Sequence, residues 1–481
     1  MNLQVVSFSL FATLTLSGAA GTPNSSSARS AGGVASGSRR IGIRRSKDGY
    51  PLEAPFRLLI RGYVILVGLS LSCLGAAAAG QASFKFDFTP GPAAPGFIQV
   101  TSDTAFTTER GYGFDLGSTA TTVSRPGGSL KDGFCTSDRP FFFSVTVPEG
   151  NYQVTATFGD ATGATTNTVK AESRRLMLER VVTAPGEFAT RSFTVNVRRP
   201  GLANGGRVGL KKREAGPPLV LHWDDKLTLE FSGARPSLCV LEIAPTTNAV
   251  TVFLAGDSTV TDQPEEPWNS WGQMLTRFFQ PSVAVANYAE SGESLKSSRG
   301  ARRFDKILGT MRTNDWLFIQ FGHNDQKDKS PGAGPFTSYK TNLLRLVAEV
   351  RERGGLPVLV TPMERKAGLN QDTLGDYAAA VRQVSREQQV PLIDLHAMSK
   401  TLYAALGPDL DKAFQDGTHH NAYGSYELAR CVVTGIQTNR LPLAAFLVKD
   451  LPPFDPGHPD PVASFQVPPS PQSSAQKPDG N

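Results

Sequence analysis

Cysteine is scarce in this sequence. Four occur in 481 residues, at positions 73, 135, 239 and 431, and none belongs to a CxxC or CxxH pair. Nor do His, Asp and Cys cluster at ligand spacing, so no metal or organic cofactor is expected. A basic stripe is missing as well. The formal charge is +6, but eight Lys/Arg against two Asp/Glu fall in residues 1–61, and the remainder holds 41 of each sign. Without surplus cations beyond that leader, nucleic acid is not an expected partner. Internal repeats are absent, and residues 83–246 lack long stretches of helical periodicity.

What is present suggests two folded domains with added segments, the usual arrangement at this length. Residues 1–57 are rich in Ser, Gly and Arg and read as a disordered leader, consistent with a start codon upstream of the natural one. Residues 58–82 place an apolar run between Arg57 and Arg61 on one side and small residues on the other. This is the pattern of a signal peptide cut near Ala79 to Ala82, which implies a secreted or periplasmic protein with no membrane contact after cleavage. The rival reading, a membrane anchor, needs an uninterrupted apolar core of about 20 residues. Cys73 follows "LSLS", a poor lipoprotein match.

Residues 83–246 read as all-β. "FKFDF", "RPFFFSVTVPEGNYQVTATFGD", "RSFTVNVR", "KLTLEFSG" and "CVLEIAP" alternate with period two, and the second is broken by a Pro-Glu-Gly-Asn turn. Short strands with turn signals indicate a β-sandwich. Cys135 and Cys239 both fall here, and the sequence accommodates either a disulfide or two buried thiols.

Over residues 249–445 the pattern changes. The strand candidates "AVTVFLAG", "SVAVANYA", "DWLFIQFG", "LPVLVTP" and "VPLIDL" alternate with amphipathic stretches. In "SYKTNLLRLVAEVRERGG", Leu343, Leu346, Val347 and Val350 share a helix face that stops at a Gly pair. Alternating β and α elements predict a three-layer α/β/α domain with a parallel sheet. Such a sheet aligns its strand C-termini along one edge, where ligands bind. Residues 446–481, rich in Pro and Ser, read as a disordered tail.

Each segment that follows a strand carries polar residues. Gly256-Asp257-Ser258 follows the first, "ESGES" with Gly292 the second, and Gly322-His323-Asn324-Asp325 the third. "DGTHHNAYG", with Asp416 and His419 three apart, precedes the last helix. This set suits acyl transfer. A serine hydroxyl needs a base to take its proton, and histidine serves near neutral pH. A carboxylate fixes the imidazole tautomer. Backbone N–H groups at Ser258 and Gly292 and the Asn324 amide would supply an oxyanion hole.

These segments resemble the SGNH (GDSL-type) hydrolases over roughly residues 250–440, with Ser258, Gly292, Asn324 and His419 at the four name-giving positions. The resemblance implies a flavodoxin-like fold, Ser258 as nucleophile, His419 as base and Asp416 as its orienter. A G-x-S-x-G nucleophile elbow is lacking, which argues against an α/β-hydrolase. "FLAGDSTV", "SWGQML", "NYAESGESLKSS", "FIQFGHND" and "DGTHHN" further resemble the rhamnogalacturonan acetylesterase branch, and the preceding sandwich resembles galactose-binding-like modules. The implied substrate is an acetylated plant polysaccharide. Two alternatives stand beside it: an esterase acting on acetylated xylan or another small ester, and a carbohydrate-binding protein whose sandwich is the working part.

Neighbouring polar residues have plainer readings. Asp257 is expected to support its turn, and His323 and Asp325 to brace theirs. His420 competes with His419, but the Asp-x-x-His spacing favours His419. Asp394 and His396 form an alternative pair that reads as structural. Trp271 and Gly272 are expected to pack under the first helix. Lys296, Arg299 and Lys327 lie near catalytic loops, with surface solvation as the simpler role.

Overall fold

The computed structural model describes residues 83–126, 129–214, 220–449 and 451–479. The leader at 1–57 and the export segment at 58–82 therefore lie outside the described residues. Among those described, no helix is long and apolar enough to cross a membrane.

The sandwich is built from β1 (Phe84–Asp87), β2 (Ile98–Gln99), β3 (Tyr112–Asp115), β4 (Thr121–Ser124), β5 (Gly133–Thr136) and β6 (Phe141–Thr146). It continues with β7 (Gly150–Gly159), β8 (Thr165–Ala171), β9 (Arg175–Thr183), β10 (Phe188–Val197), β11 (Lys226–Ser232) and β12 (Leu238–Pro245). One face has the order β10-β7-β12-β1-β2, and the facing sheet has the order β3-β6-β11-β8-β9. Period-two alternation fills the space between them. Tyr152, Val154, Ala156 and Phe158 of β7 point inward, towards Phe86, Phe141, Phe143 and Phe231. Phe143 meets Phe86, Phe88 and Phe114 edge-on, the geometry that aromatic quadrupoles favour. Cys135 and Cys239 are free and buried, and burial pushes their thiols up to about 11 and about 12.

The second half has a parallel sheet of β13 (Val250–Gly256), β14 (Val283–Asn287), β15 (Trp316–Gln320), β16 (Leu356–Val360) and β17 (Leu392–Ile393). The helices are α1 (Trp271–Leu275), α2 (Leu295–Gly300), α3 (Arg303–Thr310), α4 (Lys340–Glu352), α5 (Gly375–Gln388), α6 (Leu395–Leu406) and α7 (Ala422–Thr438). Each strand divides its side chains between two cores. Val252, Leu254, Trp316 and Phe318 pack on the side of α1, α6 and α7. Phe253, Ala255, Leu317 and Ile319 face the side of α3, α4 and α5. The sheet order β14-β13-β15-β16-β17 is flavodoxin-like. The chain runs outward from β13 in both directions, so the crevice of this fold opens at the C-terminal end of β13. Ser258 lies there.

Two features depart from the sequence reading. First, the two expected domains are not built on separate sheets. Val195 of β10 pairs in parallel with Val285 of β14, which makes one continuous sheet. Beside that seam, Asp262 accepts from Asn287 Nδ2 at 2.8 Å and faces Arg175 Nε at 3.0 Å and Arg198 Nη2 at 3.8 Å. All three charged side chains are buried. Removing the carboxylate would leave two arginines in a dry interior. Asp262→Ala is therefore expected to destabilise the protein by about 3–5 kcal/mol. Denaturant midpoints measure this, and a loss below about 1 kcal/mol would reject the pairing as a structural element.

Second, the tail is not disordered over residues 451–479. Phe454, Phe465 and Val467 pack against the core around α7. Arg430 lies over the Phe454 ring at 4.3 Å, and Phe465 packs on Tyr426 at 5.3 Å. Ser470 joins the buried pair of Lys170 and Glu230, with Lys170 Nζ donating to its hydroxyl oxygen at 2.8 Å and that hydroxyl donating to Glu230 at 2.6 Å. A few aromatic anchors and paired polar groups hold a segment whose composition alone suggests a free chain.

Candidate active site

The strand β13 ends at Gly256, and the next turn presents Asp257 and Ser258. A Cβ on Gly256 would lie 2.5 Å from Val260 Cγ2 and 2.8 Å from Gln320 O, so only glycine lets the turn fold this tightly. Asp257 secures the turn. Its Oδ1 accepts from Thr259 N at 3.0 Å and Thr259 Oγ1 at 2.8 Å, and its Oδ2 faces His323 Nδ1 at 3.0 Å. The other nitrogen of His323 faces Met363 O at 3.0 Å. Both ring nitrogens thus meet acceptors, and His323 ties the first and third loops together.

Ser258 is buried, and its Oγ lies 2.8 Å from His419 Nε2. His419 Nδ1 lies 2.9 Å from Asp416 Oδ2. The other oxygen of Asp416 accepts the backbone N–H groups of Thr418 and His419, each at 2.7 Å. Burial pushes the Asp416 carboxyl up, but the bonds from the His419 ring and the two amides outweigh it and hold the group well below the usual carboxylate range. The loop is a self-made clamp: one carboxylate orders its own turn and the ring three residues on. Trp268 meets the His419 ring edge-on, with centroids 5.9 Å apart.

The second and third loops close on the same point. Gly292 has φ of 76°, a left-handed conformation that strains any side chain-bearing residue. Gln263 Nε2 donates to Ser258 O at 2.8 Å and to Ser291 Oγ at 3.2 Å, which links the serine turn to the Gly292 turn. Asn324 Nδ2 donates to Glu293 O at 3.0 Å, and Lys327 Nζ donates to Asn324 Oδ1 at 3.2 Å. Ser258, Asn324, Asp416 and His419 are thus drawn together around Gly292 by bonds to each other and to its neighbours Ser291 and Glu293, with a second amide hydrogen on Asn324 left for a ligand.

Other candidates fall elsewhere. His420 turns into the core, where its Nε2 lies 3.0 Å from Tyr403 OH and burial pulls its pKa down to about 3. Asp394 caps α6 and holds Arg382 by two bonds of 2.8 and 2.9 Å. His396 Nε2 sits 3.1 Å from Glu364. Glu364, Asp372 and His396 bring ligand-type atoms within 4.8 Å of one another. Glu364 already accepts from Thr373 and from the Arg365 N–H at 2.7 Å, so the group is a hydrogen-bonded clasp. Lys296 pairs with Asp328 at 3.0 Å, and Arg299 with Glu349 at 2.9 Å. Trp271 is buried, and its Nε1 donates to Gln320 at 2.8 Å.

Asp325 braces the third loop by accepting Leu295 N at 3.0 Å. Its second oxygen is buried without a hydrogen-bond partner, and burial pushes the carboxyl up to about 7. A carboxyl whose folded pKa exceeds its unfolded value near 3.9 binds more protons when folded, so its contribution to stability falls as pH rises between the two. Asp325→Asn should remove that slope. Urea midpoints at about pH 5 and about pH 8 are expected to show the variant gaining on wild type as pH rises. A constant difference would reject the buried acid as its source.

Sequence reading missed the support beneath the serine turn. It comes from the β8–β9 turn of the sandwich. Arg174 Nη1 donates to Gln263 O at 3.1 Å and Trp268 O at 2.8 Å. Gln273 Nε2 donates to Ser173 O and to Gln263 O, each at 2.8 Å. Gln273 stands in the "SWGQML" stretch; nothing comparable marks Arg174.

Residues 254–425 match the GDSL-like Lipase/Acylhydrolase family. Residues 84–202 match the family described as Beta-agarase/YXIM esterase-like, galactose-binding domain-like. The chain is similar to rhamnogalacturonan acetylesterase RhgT of Bacillus subtilis (strain 168), at 37% identity over 221 residues, 41% of this chain and 94% of that protein. It is also similar to the uncharacterized esterase YxiM of the same organism, at 26% identity over 397 residues, 77% of this chain and 95% of that protein. The crystal structure of the Bacillus subtilis YxiM protein aligns with a TM-score of 0.41 and 22% identity, covering 75% of this chain and 99% of that one.

Proposed function

The chain belongs to the GDSL-like lipase/acylhydrolase (SGNH) family, and on that premise we propose that it removes O-acetyl groups from rhamnogalacturonan through an acetyl-enzyme on Ser258. It is a carboxylic ester hydrolase related to the rhamnogalacturonan acetylesterases. The observation that carries the mechanism is the unbroken relay from Ser258 Oγ to His419 Nε2 at 2.8 Å and from His419 Nδ1 to Asp416 at 2.9 Å.

In this scheme Ser258 Oγ attacks the acetyl carbonyl while His419 Nε2 takes the hydroxyl proton. The oxyanion accepts hydrogen bonds from Ser258 N, Gly292 N and Asn324 Nδ2. The C–O bond to the sugar then breaks, and His419 returns its proton to the leaving sugar oxygen. Water repeats the cycle: His419 takes its proton, the hydroxide oxygen attacks the acetyl carbon, and acetate departs as Ser258 regains its hydrogen. Asp416 stays ionised and holds the ring in the tautomer that accepts from Ser258.

The substrate reading rests on the RhgT likeness across 94% of that protein. The test is acetate release from acetylated rhamnogalacturonan and acetylated xylan. We expect at least tenfold higher kcat/KM on the former, a difference of about 1.4 kcal/mol. A preference for xylan would transfer the assignment to an acetylxylan esterase, and release from neither, with no aryl ester hydrolysis, would favour a binding protein. Export is proposed from residues 58–82, and the mature protein is expected to begin between Gly80 and Ser83. Mass spectrometry of the secreted chain reads this directly.

A further inference from the structure

The connection from β10 to β11 brings two cations to the Gly292 turn. Lys211 Nζ donates to Ser291 O and lies 3.3 Å from Glu293 Oε1. Arg213 Nη2 donates to Glu290 Oε1. The turn that carries them is locked in place. Glu214 accepts from Lys211 N at 2.8 Å, from Trp223 Nε1 at 3.0 Å and from the buried Arg303 at 2.5 Å. Arginine at such a rigid position presents a planar fork suited to carboxylates.

Glu290 engages only one end of that fork. Arg213 Nε is buried and makes no hydrogen bond. What faces it is Asp479, whose Oδ2 lies 3.9 Å away, an ion pair too long for a hydrogen bond. Asp479 also crowds the oxyanion turn: a Cβ built on Gly292 would lie 3.1 Å from Asp479 Cβ and 3.0 Å from Lys211 Nζ. The two residues share a cavity of about 110 Å³ with Gln263, Glu265, Trp268 and Lys477. Gln263 is the side chain that bonds Ser258 O. A carboxylate therefore already sits beside the Gly292 turn, opposite an arginine edge that it fails to fill.

Hydrogen bonds fix the segment carrying Asp479 as far as Ser474. Glu266 N donates to Gln472 O and Ser474 N donates to Glu266 O, each at 2.8 Å, and Trp268 Nε1 donates to Ser474 O at 3.0 Å. Beyond it, Gln476 N bonds back to Ser474 Oγ at 3.0 Å, and the Asp479 side chain is 55% exposed.

We propose that Arg213 is a specificity-determining residue whose open Nε edge takes the carboxylate of a uronic acid in the bound polysaccharide, and that Asp479 stands in for that carboxylate in the free protein. This rests on the acidic-polysaccharide reading above for the identity of the acid. It assigns the sandwich half a direct part in choosing substrate, through a connection between its strands and not through its sheet faces.

The test measures inhibition of 4-nitrophenyl acetate hydrolysis by unacetylated oligogalacturonate. Wild type is expected to be inhibited competitively. In Arg213→Ala the inhibition constant should rise about tenfold, the loss of one charged hydrogen-bond pair, and in Arg213→Lys by a smaller factor. Asp479→Asn, at an exposed side chain that does not hold the fold, should lower it severalfold. Thermal melting shows whether the Arg213 variants fold, and the Asp479 variant decides the matter if they do not. No inhibition of wild type, an Arg213→Ala constant within twofold of wild type, or an unchanged Asp479→Asn constant would overturn the proposal. The substrate reading fails separately. If acetylated rhamnogalacturonan yields no acetate while oligogalacturonate inhibits through Arg213, this inference stands and that one falls.

Discussion

Ser258→Ala is expected to lower kcat/KM for aryl and polysaccharide acetates by roughly a hundred-thousand-fold or more. The size follows from the geometry. The Ser258 hydroxyl is the group 2.8 Å from His419 Nε2, at the C-terminal end of β13 where the sheet opens. Without it, covalent catalysis is lost and only the oxyanion donors and binding remain. Folding should survive, because the turn is held by Asp257 through Thr259 and His323 and by Gln263 through the Ser258 carbonyl. The measurement is initial rate together with labelling by a fluorophosphonate probe. Retention of more than about a hundredth of the activity, in protein that melts like wild type, would remove Ser258 from the mechanism.

Asp416→Asn is expected to cost roughly a thousand- to ten-thousand-fold in kcat with a small change in KM. Asparagine can still accept the Thr418 and His419 N–H groups with its oxygen. Its NH₂ group would then face His419 Nδ1, which is 2.9 Å from the carboxylate in the native protein. Two donors cannot share that space, so the ring adopts the other tautomer and Nε2 no longer accepts from Ser258. The same exchange has a stability signature. The Asp416 carboxyl lies below its unfolded value, so its contribution is present above about pH 4 and is lost as pH falls through the folded pKa. The variant should therefore lose stability relative to wild type near neutral pH and converge with it in strong acid. A variant with near-native kcat would show that another group orients the ring.

Ser258, Gly292, Asn324, Asp416 and His419 were legible for a physical reason. Four of them sit within a few residues of a strand end or helix start, and a parallel sheet gathers such points along one edge. Periodicity likewise located β13 to β17 and the buried face of α4, because each strand and helix buries an apolar set at its own period. The strands β8 and β9 were harder to see. Lys170, Glu172, Arg174 and Arg175 are buried there, and charged residues inside a strand pair break the alternation that identifies one. Their partners Glu230, Glu266 and Asp262 lie distant in sequence, and no local pattern announces a long-range ion pair. The tail misled for the converse reason. Composition measures how little apolar surface it can bury, whereas its course is set by a few aromatic anchors and by main-chain groups of Gln472 and Ser474 that bond Glu266 and the Trp268 side chain.

The seam between β10 and β14 also bears on handling the protein. Strand β14 ends the parallel sheet, all five of its residues are buried, and Val285 on its outer edge pairs with Val195 of β10. A chain begun at Ala249 would expose an apolar rim, Val283 to Asn287, with unmet N–H and C=O groups facing water. Open rims of that kind recruit strands from other molecules. The sandwich is thus a guard against self-association as well as a neighbour, and an excised catalytic half should be collected as oligomers or aggregates in place of monomers.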